Sequence, residues 1–479
     1  MTNTTKQYKI YCAGKFITTE NILKVEEPYT QKIFAETFLA TEKHFEDATQ
    51  SAVSVQAKMA KLSTYKRYII LKEIAEKMTE RKTEISLALS QESGKPMMYA
   101  MGEVDRAIQT FVIASEEAKR IPGEELMRLD WTPAGEGKMG IIKQFPVGPV
   151  AAIAPFNFPL NLAVHKLAPA IAAGCPIVLK PASSTPLSCL LLAEIIDETD
   201  LPKGAVSIIP MDRQTGNKLV TDNRYKLLTF TGSPVVGWKM KEQAGEKKVV
   251  LELGGNAGVL ITKSADIQKA LPACLMGGFS FSGQICIHAQ RYFVHESHFD
   301  EFIALMKTAV EGLKVGDPTK ENTEFSAMID ENNAIRMEKW VNEALDLGAK
   351  LITGGKRDKT FYAPTILTNV STQAKVVAEE AFGPVVVIEK YSKFSDALEN
   401  LNSGKFGLQA GIYTQDITEL TTAFNTLEVG GVIHNNVPTF RVDHMPYGGV
   451  KQSGLGREGV KYAMADMLEP RVLVMENLG

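Results

Sequence analysis

One cysteine in this chain sits in a setting suited to chemistry. Cys286 lies in FSFSGQICIHAQR, between a glycine-bearing polar run and the pair Ile287–His288. A thiolate attacks carbonyl carbon readily and later leaves well from a thioester. Other residues of chemical interest stand upstream. PFNFP carries Asn157 in a proline-flanked turn, and VLKPASSTP ends an apolar run with Lys180 and then Ser183. FTGSPVVG brings Gly232, Ser233 and Gly237 to the expected mouth of a helix, and LELGGN sets Glu252 just before two glycines. Each piece alone has a plain structural reading: asparagine beside proline is turn chemistry, and cysteine is among the most buried residue types. Their conjunction is what points to a site.

These residues need elements to hold them. From Glu42 to Arg120 apolar residues recur three or four apart, which predicts amphipathic helices. After Gly123 the pattern changes. VGPVAAIAP, CPIVLKP, AVSIIP and YKLLTFTG read as buried strands. LNLAVHKLAPAIAAG, LSCLLLAEIIDET and VVGWKMKEQAG fill the helical role between them, an alternation that implies a parallel sheet with crossover helices. A second alternation begins after KKVVLELGG, so a boundary between two lobes is expected near Gly254 and Gly255. The closing EPRVLVMENL alternates like an edge strand.

The bulk properties narrow the function. A chain of 479 residues is too long for one core and implies two large lobes. Its net charge of −3 offers no global field for nucleic acid or anionic membrane. The five cysteines (Cys12, Cys175, Cys189, Cys274 and Cys286) are scattered, without CxxC spacing. That supports neither a disulfide framework nor a zinc site and fits a reducing compartment. The N-terminal residues lack a basic start and apolar run, and no apolar stretch approaches the ~18 residues of a membrane span. A cytoplasmic protein is expected.

Two motifs mislead. Gly454, Gly456 and Gly459 in GLGREG satisfy GxGxxG, but a βαβ nucleotide pocket needs more chain than the 20 residues left after Gly459 (479 minus 459). A glycine-rich turn feeding the helix VKYAMADML is the better reading. His288, His295 and His298 in HAQRYFVHESH lack metal-ligand spacing, so no metal is expected.

Taken together, PFNFP, VLKPASSTP, FTGS, LELGG and FSGQIC resemble the aldehyde dehydrogenase superfamily over nearly the whole chain, and EEAFGPVV and MPYGGVKQSGLGREG extend the resemblance. The fold it implies is α/β, with two Rossmann-like parallel-sheet lobes and a small β oligomerisation arm. Residues 1–122 and 146–254 would form the cofactor-binding domain, 255–455 the catalytic domain, and 123–145 with 456–479 the arm. The implied reaction is NAD(P)-dependent oxidation of an aldehyde to its acid. Cys286 would be the nucleophile, Asn157 with the Cys286 N–H the oxyanion donors, and Glu252 the base that activates water. That glutamate argues against the acyl-CoA-forming branch.

For the dinucleotide, the resemblance implies Ile153, Pro155, Phe156 and Asn157 near the nicotinamide side and Lys180 at the adenine ribose. Gly232, Ser233 and Gly237 would meet the pyrophosphate, and Leu253, Glu380 and Phe382 the nicotinamide end. Strongly NAD-selective relatives often carry glutamate where this chain has Ser183; a neutral hydroxyl repels no 2′-phosphate, so NADP is expected to be accepted alongside NAD. Arg106 and Arg441 could meet an acidic aldehyde or be locked in salt bridges. Ile285, before the nucleophile, is apolar, which disfavours phosphorylated aldehydes. Lactaldehyde, succinate semialdehyde, glycolaldehyde and aliphatic aldehydes stay open. A cysteine hydrolase, a non-catalytic protein and a CoA-dependent enzyme are the competing classes. A homodimer or homotetramer is expected.

Overall fold

The computed structural model describes residues 6–476. The helical periodicity near the N-terminus resolves into four helices, Glu42–Ala60, Thr64–Glu80, Lys82–Ser93 and Met97–Glu117. Their apolar stripes face inward: Ile70, Leu71, Ile74 and Met78 on one, Ala100, Val104, Ala107 and Phe111 on another. Several of them cover the helix Pro159–Ala173, all 15 residues of which are buried. A helix that is apolar all round needs neighbours on every side, and this one has them.

The first sheet has eight strands, and its centre is five parallel strands in the spatial order Lys248–Glu252, Leu227–Thr231, Val150–Ile153, Ile177–Lys180, Val206–Ile208. Chain order runs outward from Val150–Ile153 in one direction and then resumes on its other side. The crevice beyond the carboxyl ends of such strands, where the order reverses, is where open α/β sheets bind ligands. Pro155, Asn157, Gly232 and Ser233 all follow directly from the two strands that flank this reversal.

A seven-stranded sheet forms the second lobe, parallel apart from the edge strand Lys350–Thr353. The chain crosses between lobes through Leu253–Asn256, from Lys248–Glu252 in one sheet to Ala257–Ile261 in the other. A third, antiparallel sheet stands apart: Glu125–Arg128, Lys138–Pro146 and Leu468–Glu476. The closing strand does not lack a neighbour, since it pairs with Lys138–Pro146 along its whole length. Its other edge has no neighbouring strand among the described residues, and Val472, Leu473 and Val474 on it are exposed, as are Leu126 and Trp131 elsewhere on the arm.

The end of the chain departs from the expected division in two places. Gly454–Leu455 returns to the first sheet, antiparallel to Lys248–Glu252. The helix Val460–Asp466 packs on Pro159–Ala173 and contributes Val460 and Met464 to the first lobe's core, so only Leu468–Glu476 belongs to the arm. The GLGREG segment is therefore an edge strand and turn, with Gly459 at φ +99° opening the helix.

One buried ion pair ties these helices to the central one. Lys95, wholly buried, is bonded to Glu103 on the helix Met97–Glu117. The other Glu103 oxygen accepts from the backbone N–H groups of Leu160 (3.0 Å) and Asn161 (3.1 Å), capping the helix Pro159–Ala173 from outside. A carboxylate there satisfies orphan donors and complements the helix dipole. Lys95→Met should leave Glu103 as an uncompensated buried charge. A loss of about 3–5 kcal/mol is expected, read as a lower denaturant midpoint at unchanged slope.

Candidate active site

Cys286 sits in a loop between the helix Ile267–Phe279 and the strand Ala289–His295. The loop opens with a strained turn, Phe281 at φ +47° and Ser282 at φ +53°, a region costly for residues with side chains. Surrounding bonds hold it: Ser282 Oγ donates to the Ser326 carbonyl at 2.7 Å, and Gln284 Oε1 accepts from the Ile329 N–H at 2.9 Å. The backbone N–H of Cys286 has no hydrogen-bond partner among the described residues. Of the five cysteines, Cys12, Cys175, Cys189 and Cys274 are buried and Cys286 alone is partly accessible. It opens onto a cavity of about 280 Å³ that also reaches Phe158, Arg106, Thr439, Arg441 and Tyr447.

Asn157 comes to the same place from the first lobe. The loop after Val150–Ile153 is short, and the buried helix that follows fixes its far end. Asn157 Nδ2 donates to the Gln284 carbonyl at 3.0 Å, leaving its second amide hydrogen unused. Its own carbonyl accepts from Lys95 Nζ at 2.7 Å. The same ammonium lies 3.8 Å from the Phe158 ring centre and 4.4 Å from that of Phe281, so one cation braces both loops. Lys95 belongs to no motif of the sequence. The signal available was a charged pair in an otherwise apolar helical region.

Glu252 ends its strand fully buried, and neither carboxylate oxygen has a partner. Burial lifts its proton affinity well above the usual carboxylate range, and the nearby Glu458 charge adds to this, while Arg441, Lys166 and Arg457 oppose it. Glu458 resists the same desolvation because Lys166 and Arg441 hold it down at about 2. Two carboxylates are thus driven apart in proton affinity by their neighbours. Arg441 bonds Glu458 at 2.9 Å and stacks on the Tyr447 ring at 3.7 Å. Arg106 pairs with Asp443 (2.6 Å) rather than with Glu103 or Asp105, which are taken by Lys95 and Lys82. Both arginines are therefore salt-bridged and still line the cavity. Tyr447 Oη, in the MPYGG segment, lies 3.0 Å from Cys286 Sγ, a contact that no sequence motif predicts.

Burial pushes the Cys286 thiol up to about 11, with Tyr447 and Arg441 drawing it back and Glu380 and Glu252 adding to the rise. Across the cleft, the residues expected at a dinucleotide gather at the ends of the parallel strands. Lys180 ends its strand with no hydrogen bond to its ammonium and no ion pair among the described residues. Its proton affinity is lowered by burial, which Asp212 partly offsets. Ser183 sits half-buried in the turn that follows. Ser233 caps the helix Pro234–Gln243 without using its side chain, leaving the first N–H groups free, an arrangement suited to phosphate. Gly232 and Gly237 allow Phe230 and Leu253 to pack close: a Cβ would stand 2.5 Å from the Phe230 ring at one and 2.4 Å from Leu253 at the other. Phe156, on the loop that follows Ile153 and also carries Pro155, meets Phe382 edge to face at 5.7 Å.

Glu380 accepts from the Gly255 N–H at 3.0 Å and is pushed up to about 7 by burial, with that bond and Arg336 pulling it down. A lysine without an anionic partner, free helix-start donors and a carboxylate able to hold a diol fit a nicotinamide dinucleotide. His288 Nε2–H donates to the Gly278 carbonyl at 2.8 Å, and His298 Nε2–H to that of Lys263 at 2.9 Å. No group of three metal-ligating side chains occurs among the described residues, and no described helix is long and apolar enough to cross a membrane.

Comparison with known proteins agrees with this geometry. Residues 16–473 match the model of the aldehyde dehydrogenase family. A 3-sulfolactaldehyde dehydrogenase of Priestia aryabhattai is 43% identical over 98% of both chains. The crystal structure of aldehyde dehydrogenase 21 from Physcomitrella patens, in complex with the reaction product succinate, superposes with a TM-score of 0.97 at 47% identity, covering 99% of each chain. A glyceraldehyde-3-phosphate dehydrogenase of Methanocaldococcus jannaschii complexed with NADP gives 0.92 at 37% identity, over 96% of this chain and 100% of that one. The chain belongs to the aldehyde dehydrogenase family, and its activity is the oxidation of aldehydes with NAD or NADP.

Proposed function

We propose that Cys286 is the nucleophile, Asn157 and the Cys286 N–H the oxyanion donors, and Glu252 the hydrolytic base. One observation carries this reading: an accessible thiol, a spare amide hydrogen, an unpartnered backbone N–H and an unpartnered carboxylate converge from two lobes. The thiolate attacks the aldehyde carbon, and the carbonyl π pair moves to oxygen, where the two N–H groups receive it. Preorganised donors of this kind are each worth ~3–4 kcal/mol of barrier. The bound dinucleotide supplies the acceptor for hydride as the carbonyl re-forms on the thioester. Glu252 then takes a proton from water, whose oxygen attacks the thioester carbon and releases the acid and Cys286. Burial suits Glu252 to this task, since a high proton affinity makes a stronger base once it is ionised.

The cavity supports a short aldehyde with an anionic tail. Arg106 and Arg441 are the cations of its wall, and its one carboxylate, Glu103, is engaged by Lys95. The Priestia relative is named for an aldehyde that bears a sulfonate, and the Physcomitrella enzyme holds a dicarboxylate. NADP is accepted alongside NAD, which the neutral Ser183 beside Lys180 supports. The exposed apolar arm with its free strand edge supports a homodimer or a pair of dimers.

Three outcomes test these assignments. Glu252→Gln should release one burst of NAD(P)H per active site and then stall at the thioester, followed by stopped-flow absorbance at 340 nm; sustained turnover would remove Glu252 from the hydrolytic step. Ser183→Glu should raise KM for NADP about tenfold, corresponding to one added repulsion of ~1.4 kcal/mol, and leave KM for NAD nearly unchanged. Arg106→Leu should raise KM for succinate semialdehyde and 3-sulfolactaldehyde at least about tenfold, the loss expected for a charge-assisted hydrogen bond, while propanal is unaffected. Equal effects on charged and neutral aldehydes would exclude an anionic tail at that position.

A further inference from the structure

The contact between Tyr447 and Cys286 has no place in the reaction as derived so far. Tyr447 is buried, and its hydroxyl, 3.0 Å from Sγ, has no other hydrogen-bond partner among the described residues. A buried phenol needs a partner, and a sulfur that alternates between thiol and thiolate is an unusual one. The ring is not free to turn away. Arg441 covers one face at 3.7 Å, and Arg441 is itself clamped by Glu458 at 2.9 Å and His165 at 3.2 Å. A cation on the face of a phenol draws electron density from its oxygen and makes the O–H a stronger donor. The proton stays on this oxygen, because burial raises the affinity of Tyr447 for it well above the ordinary phenol value.

We propose that Tyr447 is a catalytic residue whose O–H donates to the Cys286 sulfur and stabilises its thiolate. The inference rests on Cys286 being the nucleophile. In the ionisation itself, the S–H proton leaves through the cavity to solvent, the sulfur keeps the electron pair, and the tyrosine O–H bond remains intact. Its need follows from the surroundings of the sulfur: burial, Glu380 and Glu252 all favour the unreactive thiol. Asn157 and the Cys286 N–H are reserved for the substrate oxygen. Among the described residues, the hydroxyl of Tyr447 is the one donor within hydrogen-bond distance of the sulfur.

Tyr447→Phe removes the donor and keeps the ring, so the fold should persist. The thiolate absorbance near 240 nm, taken as the difference between each protein and its counterpart carrying Cys286→Ala, gives the titration midpoint of this sulfur alone. The midpoint in Tyr447→Phe should lie about one pH unit or more above that of the unmodified enzyme. Alkylation by iodoacetamide at pH 8 should slow about tenfold in parallel, since rate follows the thiolate fraction. An unchanged midpoint would overturn the proposal, as would a rise in KM for aldehyde with no displacement of the titration, which would make Tyr447 a wall of the cavity only. Turnover by Cys286→Ala separates the two levels. If that variant is inactive while the Tyr447→Phe midpoint is unmoved, the tyrosine inference alone falls; if it stays active, the nucleophile assignment falls first.

Discussion

The site depends on backbones coming closer than side chains would allow. At Gly254 a Cβ would stand 2.1 Å from the Glu380 carboxylate, and at Gly255 one would stand 2.4 Å from the Cys286 carbonyl. At Gly448 it would reach 2.8 Å from Glu252 Oε1. Real Cβ contacts do not occur at such distances, so alanine at Gly255 would push the Cys286 loop off the crossing segment, and alanine at Gly254 would displace the Glu380 carboxylate. The double glycine is therefore more than a turn between lobes. It is the surface on which the second lobe's functional segments are seated, and neither residue needs a positive φ to serve.

Around that seat, charge is arranged in closed sets. Lys95 and Glu103 neutralise one another while holding the Asn157 loop and the start of the buried helix. Arg441, Glu458 and Lys166 form a second set, joined through His165 and Asp443 to Arg106. Each charge is satisfied by neighbours that are themselves bonded, which is the condition under which buried ions are tolerated. Glu252 is the exception, a carboxylate inside this framework with no bond to either oxygen. Unsatisfied buried groups are costly, and such a cost is ordinarily found where a reaction uses the group.

Much of this was legible in the sequence because chemistry and local structure coincide there. Asn157, Lys180, Ser233 and Glu252 each follow or end a strand whose apolar run is plain, and Cys286 follows a glycine-bearing turn. The strand and helix alternation was legible for the same reason, since periodicity is a local property. Lys95 and Tyr447 were not. Lys95 acquires its role from Asn157, 62 positions away, and Tyr447 from Cys286, 161 away. No spacing rule connects such pairs. The pairing of Arg106 with Asp443 across 337 positions was equally out of reach, because acidic residues on its own helix offered nearer candidates. The terminal helix was assigned to the arm from its place in the chain, whereas its apolar face belongs to the first lobe's core.

The burial of four sulfurs has a consequence for how the molecule would age. Desolvation pushes the Cys12 and Cys274 thiols up to about 12 and that of Cys175 up to about 11, and it holds Cys189 well above the ordinary thiol value. Peroxide reacts with accessible thiolates, so burial shields those four, whereas Cys286 opens onto a cavity. Oxidative damage among the cysteines is thereby funnelled to Cys286. A population exposed to oxidant would lose that one accessible thiol molecule by molecule while the four packed sulfurs stayed reduced.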